Sequence, residues 1–220
     1  SWHSTIVYYR LINEMVGEKI GIQGNPELLI YSLNVELMRE QKKKNANNKY
    51  RDLAESKESS CDKDVVICAN LYNILYVIME TKIDIPILHM ADAIGNKAKK
   101  KCLNRLVLLG TRATMTKNFI SSFLKENYDI ETIIPDDEYI EQNHQYISEE
   151  LTKGIFSEEA KKFYMEQMRL LRAKGAEGII LGCTELPMLI EQKDFDLPLI
   201  ATTQLHAKMA ADFIMQDSAT

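Results

Sequence analysis

Asp64–Ala93 reads DVVICANLYNILYVIMETKIDIPILHMADA, and Gly178–Ala207 reads GIILGCTELPMLIEQKDFDLPLIATTQLHA. Each segment is an apolar run ending in a short polar turn, then an amphipathic stretch, a Pro-anchored apolar triplet and a polar run closing on Ala. Superposed, Ile67-Cys68-Ala69-Asn70 falls on Leu181-Gly182-Cys183-Thr184, and Pro86 and Pro198 follow at nearly the same offset. A repeat of this kind predicts two like halves facing each other across a cleft, with the two turns at its floor. One turn offers a cysteine where the other offers an alanine, so the asymmetry between Cys183 and Ala69 bears on any chemistry.

Outward from the repeat, apolar runs of strand length alternate with helical patterns, the signature of βαβ units and parallel sheets. Strands are expected near Leu28–Ser32, Val65–Ala69, Ile85–Leu88, Arg105–Leu109, Glu131–Ile134, Gly178–Leu181 and Leu197–Ile200. Helical stretches are expected at Thr5–Glu18, Lys49–Ser59, Ile74–Met79, Asp92–Lys101, Lys117–Glu126, Asp137–Leu151, Ser157–Lys174, Glu185–Ile190 and Thr203–Met215. Ser157 supplies a cap, Glu158 and Glu159 place acids in the first turn, and Gly175 closes that helix. The fold class is therefore α/β, with two pseudo-symmetric lobes, each a parallel sheet flanked by helices. Residues 1–98, completed by 202–220, are expected to form the first lobe and residues 99–201 the second. By the repeat logic a further strand belongs ahead of Ser1, and the first-lobe turn begins the sequence without it.

The 220 residues, 45% hydrophobic and 27% charged, match an ordinary globule able to bury a sizeable core. A net charge of −5 argues against nucleic acid as the main partner, because phosphate binding needs a basic face. Lys42-Lys43-Lys44 lies in a polar stretch and reads as a solvated loop or helix end. No apolar run approaches the roughly 20 residues of a membrane span. No secretory signal opens the sequence, and the cysteines are too irregularly spaced for a disulfide or zinc framework. A cytoplasmic setting is expected, with Cys61, Cys68 and Cys102 as plain thiols.

In open parallel sheets ligands bind beyond the carboxyl ends of the strands. The turns there are Ser1–Thr5, Ala69–Asn73, Gly110–Thr116 and Gly182–Glu185, small and hydroxylic and suited to carboxylates at helix N-termini. No G-x-G-x-x-G or Walker pattern is present, which favours a small anion over a nucleotide. Cys183 follows a glycine that permits a tight turn and precedes Thr184-Glu185-Leu186-Pro187, with Pro187 early in a helix. The positive end of that helix is expected to draw the thiol pKa down toward neutrality.

With LLGTRATM (Leu108–Met115), SWHSTIVYYRLIN (Ser1–Asn13) and TTQLHA (Thr202–Ala207), the segment LGCTELPMLI (Leu181–Ile190) resembles the cofactor-independent aspartate/glutamate racemases. The resemblance covers essentially the whole chain. It implies two α/β lobes, a homodimer, no metal, pyridoxal phosphate or other cofactor, and a pair of cysteines working on opposite faces of the substrate α-carbon. Carried over by position, Cys183 resembles the second-lobe acid/base and Thr184 a donor to the substrate carboxylate. Asn70, Thr114, Lys153 and Ser4 are implied as further substrate-binding residues, and Glu185 as a neighbour that orients Thr184 or a helix N-terminus.

The first-lobe turn departs from the family pattern, which reads Cys-Asn-Thr-x-His or Thr-Asn-Thr-x-His. Here Ala69 carries no proton, Leu71 removes a hydroxyl and Asn73 replaces an imidazole. Cys68 is adjacent but is not expected to substitute, because successive side chains of a strand point to opposite faces. Ala201 stands where an acid commonly precedes Thr-Thr. The resemblance thus implies an amino-acid racemase-type enzyme acting on a small dicarboxylic amino acid, aspartate or glutamate, impaired or reduced to one base at Ala69. The alternatives are a one-cysteine decarboxylase or isomerase of the same superfamily, or a non-catalytic homologue that binds an acidic amino acid.

Overall fold

The apolar runs Arg105–Leu109 and Gly178–Leu181 form adjacent central strands of a four-stranded, wholly parallel sheet. The computed structural model describes residues 2–21, 23–30, 65–66 and 87–217. These fall into two units. Met90–His206 make up the second, and the described residues of the first are 2–21, 23–30, 65–66, 87–89 and 207–217.

In the first unit, α1 (Trp2–Ile20) places Tyr8, Ile12 and Val16 on one face, four residues apart. They pack with Leu88, Ala207, Ala210 and Ala211, the last three from the C-terminal part of the final helix. Val65–Val66 (β1) and Ile87–Leu88 (β2) pair in parallel. An exposed ion pair joins Lys19 to Asp212 at 3.0 Å, worth about 0–1 kcal/mol. Helix α1 begins at Trp2, so most of the Ser1–Thr5 segment is helical where the sequence suggested a turn. Leu28–Ile30 form no strand, and Leu29 and Ile30 are exposed. The expected helices at 49–59 and 74–79, Cys61, Cys68, and the turn holding Ala69 and Asn70 lie outside the described residues.

The second unit runs α2 (Met90–Lys100), β3 (Arg105–Leu109), α3 (Arg112–Thr116), α4 (Ser121–Tyr128), β4 (Glu131–Ile133) and α5 (Asp137–Gln145). After α6 (Glu158–Ala173) come β5 (Gly178–Leu181), α7 (Leu186–Leu189), β6 (Leu199–Ala201) and α8 (Thr202–Asp217), which passes into the first unit at Ala207. Successive strand side chains point to opposite faces, and the two cores follow that alternation. Val107, Leu109, Ile179 and Leu181 join Ala160, Tyr164, Met168 and Leu171 of α6. Leu106, Leu108, Ile180 and Ile200 join Met90, Ile94 and Ala98 of α2 and Leu124 of α4. Strands covered on both faces can be apolar throughout, which is why these runs lack polar interruptions.

The strand order is β4-β3-β5-β6. The chain therefore moves one way from β3 to β4 and the opposite way from β5 to β6, leaving a topological switch point between the carboxyl ends of β3 and β5.

Local chemistry sets several boundaries. Thr111 caps α3 and Ser157 caps α6, each by accepting a backbone N–H three residues on. The helix expected over Asp137–Leu151 is regular only to Gln145, then passes through a π turn (Tyr146–Glu150) and a 3₁₀ turn (Leu151–Lys153). There the Ser148 hydroxyl donates to the His144 carbonyl at 2.8 Å and Thr152 donates to the Ser148 carbonyl at 3.1 Å. Hydroxyls that bond backbone carbonyls in this way loosen and bend a helix.

Candidate active site

Two glycines bring the switch point together. A Cβ placed on Gly182 would sit 2.6 Å from the Leu109 carbonyl oxygen, and one on Gly110 would sit 2.8 Å from the Gly182 carbonyl oxygen. Without side chains the two strand ends close to hydrogen-bonding distance, Gly182 N–H donating to the Leu109 carbonyl at 2.6 Å. Thr114, only 1% exposed, fills the space against both glycines. Its hydroxyl shares a 2.9 Å hydrogen bond with that of Thr111. On the other side of β5, the Thr202 hydroxyl donates to the Leu181 carbonyl at 2.9 Å and anchors the start of α8 to the same strand end.

The turn Gly182–Glu185 is thus held from both flanks, and Cys183 sits within it at 7% exposure. Its thiol donates to Glu185 Oε2 at 2.8 Å, and the Thr184 hydroxyl donates to the same oxygen at 2.6 Å. Glu185 is itself buried. One carboxylate oxygen therefore receives two side-chain donors from consecutive residues. The following helix, α7, has only four residues.

Burial pushes the Cys183 thiol well above the ordinary range, and the charge and hydrogen bond of Glu185 push the same way. The backbone N–H groups of Glu185 and Leu186 pull downward and are outweighed. The sequence suggested the reverse, on the strength of a helix dipole. A one-turn helix offers little dipole, and a buried carboxylate beside the sulfur disfavours a second negative charge. Tyr164 of α6 packs in the same core as Cys183, and its hydroxyl donates to the Asn143 carbonyl at 3.2 Å. Burial raises the Tyr164 phenol, with a further contribution from Cys183.

The structure gathers Cys183, Thr184 and Thr114 at one end of the sheet. Lys153 ends the 3₁₀ turn, exposed, and no hydrogen bond or ion pair joins it to the Cys183 turn among the described residues. Ser4 is buried in α1 of the first unit, while Ala69 and Asn70 lie outside the described residues. Glu185 holds the Thr184 hydroxyl, as its position suggested, and in addition accepts from the Cys183 thiol. Within the expected turn Gly110–Thr116, Gly110 and Thr111 had no individual role, nor had Thr202. An acid two residues after a cysteine in a glycine-led turn is the signal that could have drawn attention to the Glu185 contact. Among the described residues no group of three or more His, Cys, Asp or Glu side chains could hold a metal ion, and no helix is long and apolar enough to cross a membrane.

Residues 1–210 match the Asp/Glu/Hydantoin racemase family. The chain belongs to this racemase family. Among similar solved structures is a candidate Asp/Glu racemase from Yersinia pestis, 34% identical with a TM-score of 0.91, the match covering 98% of this chain and 96% of that one. An aspartate racemase homologue from Pyrococcus horikoshii OT3 is 26% identical with a TM-score of 0.82, covering 100% of this chain and 96% of its own. The glutamate racemase of Francisella tularensis subsp. tularensis SCHU S4, solved with D-glutamate, shares 18% identity at a TM-score of 0.63 over 94% of this chain and 78% of that one, a likeness of fold alone. The fold is thus shared with these solved structures.

Proposed function

We propose that this racemase-family chain moves a proton at the α-carbon of an acidic amino acid, aspartate or glutamate, using Cys183 and no cofactor. The observation that carries it is the Cys183 thiol at the switch point, held by a buried carboxylate beside Thr114 and Thr184. Similarity over nearly the full chain to a candidate Asp/Glu racemase and an aspartate racemase homologue supports the substrate class. In exchange, the small thiolate fraction of Cys183 takes the α-proton, and the thiol so formed returns one to the same face of the carbanion. Thr184, Thr114, Asn70, Lys153 and Ser4 would receive the substrate's polar groups, and the active form would be a homodimer.

Alanine at position 69 makes the enzyme one-base in this proposal. Losing a positioned acid or base on one face costs on the order of 10²–10⁴-fold in a reaction that needs both. The test is proton NMR of L- and D-aspartate and L- and D-glutamate in deuterium oxide, with wild type, Cys183→Ala and Ala69→Cys. Exchange of one enantiomer without inversion, lost in Cys183→Ala, is expected, and inversion should rise in Ala69→Cys. Exchange that survives Cys183→Ala overturns the assignment of Cys183. An absence of exchange in wild type would redirect the function to a one-cysteine decarboxylase or isomerase, or to a binding homologue.

A further inference from the structure

A buried hydroxyl at the carboxyl end of the sheet is left without a partner. Thr203 is 2% exposed, and its Oγ1 makes no hydrogen bond among the described residues. A threonine near a helix start ordinarily bonds a nearby backbone group, and an unsatisfied hydroxyl shut away from water is unfavourable. Its place in the fold decides what it can meet. Thr203 is the second residue of α8, a helix of 16 residues, and the Cα–Cβ bonds of a helix tilt toward its N-terminus. The hydroxyl is therefore directed to the end where the first backbone N–H groups have no acceptor within the helix and the dipole is positive. Ala201, the last residue of β6, precedes the helix and has no side-chain acceptor to cap it. Thr202 ties this end of α8 to β5 by donating to the Leu181 carbonyl at 2.9 Å. Leu181 and Ala201 are partners in the sheet register, so Cys183 and Thr203 each lie two residues beyond a matched pair of strand ends. Neighbouring strands run about 4.8 Å apart, a span that one small dicarboxylic acid can bridge.

We propose that the start of α8, with the Thr203 hydroxyl, is the subsite for the second carboxylate of the substrate, the one remote from the α-carbon at Cys183. The subsite rests on the acidic amino-acid substrate proposed above. A carboxylate there accepts a hydrogen bond from Thr203 Oγ1 and lies at the positive end of the helix, which stabilises negative charge and gives nothing comparable to a neutral side chain. Acidic amino acids are thereby selected over neutral ones of the same length. A substrate that reaches Cys183, 7% exposed, and Thr114, 1% exposed, has already entered the closed end of the sheet in which Thr203 lies.

The test measures, by isothermal titration calorimetry on the full chain, the binding of both enantiomers of aspartate and of α-aminobutyrate, which lacks the second carboxylate. Wild type is compared with Thr203→Val and Ala201→Asp. Thr203→Val removes the hydroxyl and nearly keeps the shape. A hydrogen bond to a charged group is worth about 10- to 100-fold in affinity, so aspartate should weaken by about that factor while α-aminobutyrate does not change. The urea midpoint of the free Thr203→Val protein should equal or exceed that of wild type, since no hydrogen bond is lost. Ala201→Asp brings a carboxylate to the helix start, so it should raise the midpoint as a cap does and weaken aspartate at least as much. Aspartate binding unchanged in both variants overturns the subsite. A fall in the Thr203→Val midpoint also overturns it, because the hydroxyl would then be serving the fold, and so does a wild type that binds aspartate no better than α-aminobutyrate. The α-proton exchange assay separates this proposal from the reading it rests on. Aspartate binding that depends on Thr203 without exchange keeps the subsite and removes the proton chemistry at Cys183; exchange at the wild-type rate in both variants does the reverse.

Discussion

Replacing Gly182 by alanine tests whether the close approach of β3 and β5 builds the site. The added methyl carbon would lie 2.6 Å from the Leu109 carbonyl oxygen and 3.2 Å from both Leu108 Cδ1 and Thr114 Cγ2. Carbon and carbonyl oxygen meet comfortably at about 3.3 Å, so the strand ends must part by about 0.7 Å, the difference between 3.3 and 2.6. The obstacle is backbone, which cannot swing aside as a side-chain tip can. Overpacking of this kind costs about 1–3 kcal/mol, and the Gly182–Leu109 hydrogen bond is worth about 1 kcal/mol more, for a total of about 2–4 kcal/mol. With a urea m-value of about 1–3 kcal/mol/M, the unfolding midpoint should fall by about 1–2 M at unchanged m. Because Cys183 is the next residue, its thiol moves with the turn, and a displacement approaching 1 Å costs about 10²-fold in a positioned reaction. The α-proton exchange rate of the folded variant should fall accordingly. Gly21→Ala is the control: its methyl meets nothing within 4 Å, but φ is +104°, so it brings backbone strain of about 1–2 kcal/mol with no effect on α-proton exchange by the folded protein. A Gly182→Ala midpoint equal to wild type, with exchange intact, would refute the account of the switch point.

Three further outcomes are expected. The folded Cys183 thiol is raised above its unfolded value of about 8.5, so the native state holds the proton longer and stability should fall as pH rises past that value; urea midpoints at neutral and alkaline pH should drop less in Cys183→Ala, and equal drops would contradict it. Gly95→Ala places a methyl 2.5 Å from the Tyr128 ring, whose hydroxyl donates to Asp92 at 2.8 Å, and should cost about 1–3 kcal/mol in thermal or urea unfolding, a neutral result showing that α2 and α4 can separate freely. Glu177 accepts the Asn104 and Arg105 backbone N–H groups at 2.6 and 3.1 Å, which hold its carboxyl below the usual range. Its contribution is therefore present above about pH 4.3 and lost on acidification, so Glu177→Gln should flatten the acid limb of stability, and an unchanged limb would show that the contact contributes nothing.

Local patterns carried far along this chain. Arg105–Leu109 and Gly178–Leu181 read as strands because unbroken apolar runs of that length suit a sheet covered on both faces, and both form with the expected ends. The Ser157 cap was legible because capping is decided within three residues. The break of the α5 helix at Tyr146 was not, since apolar spacing continues through it and only the hydroxyl-to-carbonyl bonds of Ser148 and Thr152 divert the backbone. Thr114 and Cys183 could be picked out as members of polar turns following strands, but their sharing of one sheet end depends on Gly110 and Gly182 meeting across 72 residues of sequence.

The amino-acid order alone thus determined the element types of Met90–His206 for the most part, the α/β class, the family resemblance and the singular turn around Cys183, because these rest on periodicity, turn chemistry and short motifs. Tertiary structure decided the strand order that creates the switch point between β3 and β5. It also decided the state of the thiol. A helix dipole inferred from Pro187 pointed to an acidic cysteine, whereas burial of the turn and the return of Glu185 onto Cys183 keep the proton on sulfur. Charge stabilisation depends on what surrounds a group in three dimensions, and the desolvation of Cys183 outweighs what its neighbours in sequence suggest.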